Sequence, residues 1–95
     1  MTDANSLIRV LLNLDARFDE RDDAAMDLES YDGSNVIFAL AKIASDSEED
    51  SGLVESAAES LGGVMARTGF RDERIIEGLT PDARVMVVEI LNARQ

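Results

Sequence analysis

The 95-residue chain contains no cysteine, no histidine and no tryptophan, and only one proline. Without cysteine there is neither a disulfide nor a thiolate metal site. Without histidine the commonest general base and metal ligand is missing. Aromatic residues make up only 4% of a chain that is 45% hydrophobic, so the core must be aliphatic and rich in alanine. No apolar run approaches the ~20 residues that a membrane span needs. The opening segment, MTDANSLIRV, lacks the basic and apolar regions of a secretory signal. A single cytoplasmic domain, residues 1–95, is the expectation.

What the chain has in excess is negative charge. Twenty acidic residues against nine basic give a net charge of −11. The excess is uneven: residues 1–66 hold 15 acidic and four basic residues, a net of −11, and residues 67–95 hold five of each. Such a field repels nucleic acid and anionic membranes and attracts cationic partners. Solubility alone is the competing explanation of the charge.

Helical spacing runs through the chain and places six helices, with no strands. In SLIRVLLNLDARF, residues Leu7, Val10, Leu11, Leu14 and Phe18 share a face. The next segment, DERDDAAMDLESY, is expected to start at an Asp19 N-cap and to bury Ala25, Leu28 and Tyr31. Gly33 fits a left-handed helix end, and Ser34 a cap for NVIFALAKIAS, which would bury Ile37, Leu40, Ala41 and Ala44. After the polar loop DSEEDSG comes the longest helix, LVESAAESLGGVMART, closed by Arg67 and Gly69. RDERIIEGL is a short helix. The last, TPDARVMVVEILNAR, has Thr80 as N-cap and Pro81 at its first position, which outweighs the strand propensity of Val85 to Val88.

An internal repeat lies on this pattern. DDAAMDL, residues 22–28, aligns with ESAAESL, residues 55–61, at an offset of 33 residues, and VMVVEIL, residues 85–91, follows it more loosely. Each copy is preceded by another helix. The segment ALAKIASD followed by LVESAAESLGGV resembles a HEAT-type repeat, most clearly over residues 34–69. The resemblance implies an all-α fold, a short right-handed α-solenoid of about three HEAT-like helix pairs. It also implies a use for Gly62 and Gly63, which cost about 1 kcal/mol each against alanine in a helix interior. One of them is expected to face a neighbouring helix where a side chain would clash.

In proteins of this resemblance the second helices form a binding ridge, and here that ridge is acidic. Asp23 and Asp27 share a face at i, i+4, as do Glu55 and Glu59. Asp22 flanks the first pair, and Asp46, Glu48, Glu49 and Asp50 crowd the loop before the second. The candidate partner-binding residues are therefore Asp22, Asp23, Asp27, Glu48, Glu49, Asp50, Glu55 and Glu59. The loop DSEEDSG lacks the glycine and glutamate spacing of an EF-hand. No activated nucleophile or base is evident, so neither an enzyme, nor a cofactor, nor a metal is expected. HEAT-like di-iron hydroxylases need histidine, and HEAT-like alkylpurine glycosylases need a basic groove. A further general resemblance, in RDDAAMDLESYDGSNVIFALAKIAS, is to small acidic HEAT-like immunity proteins of bacterial toxin systems. It implies an inhibitor of a basic, nuclease-type toxin, with neither nucleic acid nor membrane as partner. The alternatives are a scaffold or adaptor subunit whose acidity is incidental, and an enzyme with an unrecognised site. The oligomeric state is left open by the sequence.

Overall fold

The computed structural model describes residues 3–94. Its elements are α1 (Ala4–Leu12), α2 (Phe18–Asp27) running into a 3-10 turn (Leu28–Ser30), α3 (Ser34–Ala44), α4 (Ser51–Thr68), α5 (Glu73–Gly78) and α6 (Pro81–Ala93). Among the described residues there is no strand, and no helix is long and apolar enough to cross a membrane. Residues 85–88 are helical, as their Thr-Pro start requires.

Side-chain oxygens start most of the helices by taking backbone N–H groups that have no partner within the helix. Asp3 accepts from Ser6, Asp50 from Gly52 and Leu53, Asp72 from Arg74, and Thr80 from Ala83. α4 ends at Gly69, which is left-handed as expected.

Three local expectations are corrected. α1 stops at Leu12 because the Asn13 side chain takes the Asp15 N–H at 2.9 Å, turning the chain out of the helix. Leu14, in phase with the apolar stripe, is left 81% exposed, and Phe18 is half exposed at the start of α2. Asp19 is not the cap of α2: Arg17 holds that position, and its N–H donates to Glu20 three residues on. Asp19 and Glu20 instead fill the first turn, at the positive end of the helix. Gly33 does not close a helix. With φ 118° and ψ 154° it occupies the N-cap position of α3, and Ser34 is the first residue inside that helix. An L side chain rarely adopts that backbone, and a Cβ there would also lie 2.8 Å from Asn35 Oδ1.

Packing is organised around α4, which lies against α2, α3 and α6. α1 covers α2 and α3, and α5 rests on α6. The repeated positions all point inward: Ala24, Ala25 and Leu28 on α2 and its turn, Ala57, Ala58 and Leu61 on α4, and Val87 and Leu91 on α6 are buried. Val88 is half-buried, as is Ala41 of α3, where Val36, Ala39 and Ile43 widen the buried face beyond the expected stripe.

The two glycines of α4 face different neighbours. A Cβ on Gly62 would stand 2.9 Å from Cδ1 and 3.1 Å from Cβ of Ile90 on α6. A Cβ on Gly63 would stand 2.6 to 2.9 Å from the end of the Glu29 side chain. Both positions are therefore close approaches, where the sequence led us to expect one. They differ in how they can yield. The Ile90 Cβ moves only with α6, whereas the Glu29 carboxylate can rotate into solvent. Gly62→Ala should lower stability by about 1 kcal/mol, overpacking outweighing helix propensity. Gly63→Ala should be neutral or stabilise by up to about 1 kcal/mol. Urea unfolding monitored by circular dichroism checks both, and a stabilised Gly62→Ala would rule out the contact with Ile90 as the reason for that glycine.

Candidate functional site

The arginines explain much of the charge distribution. Three of them reach across to the carbonyl groups at the end of another helical segment, where four C=O groups have no partner within the helix. Arg21 of α2 donates through Nε to the Leu11 carbonyl at the end of α1, at 2.9 Å. Arg67 of α4 donates to the Glu29 and Tyr31 carbonyls around the 3-10 turn and pairs with Asp32. Arg84 of α6 donates to the carbonyls of Ile76, Glu77 and Leu79 at the end of α5.

Arg21 is the most enclosed of them. Its side chain is 9% exposed, and its two terminal nitrogens meet Glu49, itself 12% exposed, at 3.2 and 2.8 Å. One guanidinium thus joins α1, α2 and the loop between α3 and α4. The donated hydrogen bonds hold the Glu49 carboxyl below the usual carboxylate range, helped by the Asp50 N–H and opposed by burial. Three of the eight candidate residues accordingly have partners inside the fold. Glu49 belongs to this clamp, Asp50 caps α4, and the Asp22 carboxylate accepts from the Ser56 hydroxyl at 2.6 Å.

The other five, Asp23, Asp27, Glu48, Glu55 and Glu59, are exposed and form no salt bridge within the described residues. They are not one patch. Asp22 of α2 and Glu29 of the 3-10 turn that continues it mark the edge that meets α4. At about 100° per residue, Asp23 and Asp27 turn a quarter-turn or more away from that edge. Glu55 and Glu59 lie one turn apart along α4, between the sides of the helix facing α2 and α6.

Glu55 also borders a feature that sequence reasoning missed. A cleft of about 300 Å³ opens between the N-terminal ends of α4 and α6 and the loop after α3, with Val54, Ala83 and Met86 beneath Asp46, Glu55 and Asp82. Helical phase on α6 alone could have flagged Asp82 and Met86; their approach to Glu55 required the tertiary packing. No group of three carboxylates among the described residues is arranged to hold a metal ion. At the other end of α4 a second cleft, of about 380 Å³, is lined by Ile37, Thr68 and the exposed rings of Phe38 and Phe70.

In comparisons with protein-family models, curated proteins and solved structures, the chain matches none.

The clamp has a measurable consequence. Glu49→Gln leaves the enclosed Arg21 charge without its counter-ion and should cost about 3 kcal/mol. Because the folded-state pKa of Glu49 is depressed, its contribution is fully present above the unfolded value of about 4.3 and is lost as pH falls through the lower folded value. The stability difference between wild type and Glu49→Gln should therefore be largest above about pH 5 and shrink below about pH 4. Denaturant unfolding across that range tests it, and a difference that does not change with pH would contradict the clamp.

Proposed function

We propose that this chain is a non-catalytic protein-binding module, an acidic inhibitor of immunity type that neutralises a basic, nuclease-type toxin. The observation that carries the reading is the distribution of partners among the charges. Arg21, Arg67 and Arg84 serve helix ends, while Asp23 and Asp27 on α2 and Glu55 and Glu59 on α4 face solvent without a counter-ion. Exposed carboxylate pairs of this kind, one on each of two helices, can take the place of nucleic-acid phosphates in a cationic cleft and speed association by electrostatic steering. The HEAT-like solenoid belongs to the same reading. α4 lies between α2 and α6, and α1 and α3 touch each other, a neighbour-to-neighbour contact pattern that fits stacked helix pairs; a short right-handed stack of three pairs is part of this proposal. A cytoplasmic location goes with it.

A second reading, an adaptor or scaffold subunit, is favoured by one specific observation. Phe38 is 60% and Phe70 40% exposed beside a cleft whose one acidic lining residue, Asp32, is paired with Arg67, and which none of the candidate acidic residues borders. An exposed aromatic pair is a docking feature of protein interfaces.

The test is affinity capture with the intact chain and then a binding titration against the basic protein captured, with nuclease activity as a second readout. Binding should weaken as salt rises from about 0.05 to 0.5 M, since screening acts on exposed charges. Asp23→Asn with Asp27→Asn, and Glu55→Gln with Glu59→Gln, should each raise Kd about tenfold, equivalent to about 1.4 kcal/mol. The loss should appear as slower association where the contact is at the rim and faster dissociation where it is buried. Both double variants should fold at least as well as wild type, since each relieves repulsion between like charges at i, i+4. An affinity indifferent to salt and to both pairs would reject the inhibitor reading in favour of the adaptor.

A further inference from the structure

We propose that the cleft between the N-terminal ends of α4 and α6 receives a basic side chain, arginine or lysine, of a protein partner; this rests on the cationic-partner reading and gives it an anchoring position. The cleft has two chemistries at two depths. Its floor is apolar: Val54 and Ala83 are buried and Met86 is half-buried. Its rim is anionic, with Asp46 on the loop after α3, Glu55 on α4 and Asp82 on α6. Arginine and lysine have the same layout, an aliphatic stem that packs on apolar surface beneath a charged head that stays near water. A neutral apolar side chain would suit the floor and leave the rim idle.

The charges at the rim are available. Among the described residues none of Asp46, Glu55 and Asp82 forms a salt bridge; Asp46 only accepts the Glu48 N–H, at 2.9 Å. The neighbouring Glu49 is already held by Arg21 and does not count toward the rim. Two helix N-termini lie at the same end, each equivalent to about half a positive charge. They amount to about one charge against three carboxylates, and both are capped, by Asp50 and Thr80. The local field therefore stays negative. A compact metal ion is a poor occupant, because no three carboxylates are disposed to share one. A guanidinium suits separated carboxylates better, since its five donors fan out in a plane. The volume of about 300 Å³ is at the lower end of binding clefts, the scale of a side chain rather than of a helix.

The experiment uses the intact chain with methyl-labelled methionine, because three methionines report on different places. Met86 lies on the cleft floor, Met26 is exposed on α2, and Met65 is fully buried. The probes are a short peptide of alternating arginine and leucine and the same peptide with citrulline, a neutral isostere, for arginine. The arginine peptide should move the Met86 methyl resonance more than that of Met26 and leave Met65 in place, and the citrulline peptide should not move Met86. Asp46→Asn with Asp82→Asn should weaken binding about tenfold, with Glu55→Gln as an independent second variant and Glu77→Gln on α5 without effect. Unchanged thermal unfolding of the variants excludes a folding defect. If Met26 moves and Met86 does not, the cleft is not the anchor although the acidic face binds cations. If the citrulline peptide moves Met86 equally, the cleft is an apolar site and the charge argument falls. If no resonance moves and no binding is detected, the cleft proposal and the cationic-partner reading fail together.

Discussion

The enclosure of α4 is the constraint on which the rest of this structure depends. An 18-residue helix, about 27 Å long, is flanked by α2, α3 and α6. Such a helix cannot carry large side chains all round, and its sequence reflects that: Ala57, Ala58, Gly62 and Gly63 are buried where neighbours come close. Enclosure also determines what α4 can show to solvent. Between its first residue and its last turn, only Ser51, Glu55 and Glu59 are fully exposed, one residue per turn. The acidic stripe is thus the only charged surface that packing leaves to the first three turns of the central helix.

A second economy concerns positive charge. The chain has few basic residues, and three arginines satisfy carbonyl groups at the ends of neighbouring helical segments. Each is placed where a cation also complements the negative end of a helix. Arg21 does more, since its bidentate contact with Glu49 draws the loop after α3 onto α1 and α2. The outcome is a separation of charge by depth: the Arg21 guanidinium turned inward with one carboxylate, and Asp23 and Asp27 of α2 with Glu55 and Glu59 of α4 outside without counter-ions. Composition alone gives the net charge of −11; this arrangement concentrates its effect on particular helix faces.

Much of the helical framework was legible because its signals are local. Thr80 with Pro81, Gly69 after Arg67, and the repeated Ala-Ala-x-x-Leu each act within a turn or two of chain, and each has its expected place. The misplacements were competitions between two local signals. Leu14 fits the apolar period of α1, but the Asn13 side chain captures a backbone N–H and ends the helix first. Gly33 reads from sequence as a left-handed helix end, but the 3-10 turn closes at Tyr31 and Gly33 is taken up as the N-cap of α3. The candidate site was legible to a lesser degree. That Asp22 turns toward α4 while Asp23 turns away depends on helical phase against a neighbour. That Glu49 is a structural partner depends on a contact across 28 residues of chain, and that Asp82 joins Glu55 at one cleft depends on how α6 is laid against α4. Spacing rules carry no information at that range.

Like charges one turn apart cost a helix a few tenths of a kcal/mol per pair, and the helices carry four acidic pairs of this kind, Asp19 with Asp23, Asp23 with Asp27, Glu55 with Glu59 and Glu73 with Glu77. Against a core that includes Leu11, Leu28, Leu40, Leu53 and Leu61 at full burial, that cost is small. The fold tolerates an unpaired acidic surface without depending on it, which leaves those residues free to answer to a partner. The two ends of α4 then offer different chemistry. Its N-terminal end borders a cleft with an anionic rim, and its C-terminal end borders one lined by Phe38 and Phe70. Electrostatic attraction acts over about a Debye length, whereas aromatic contact begins only when water is expelled. A partner carrying both a basic and an apolar patch would be oriented first by the acidic end and secured by the aromatic end. A partner carrying only one would bind at one end and leave the other open to a second protein.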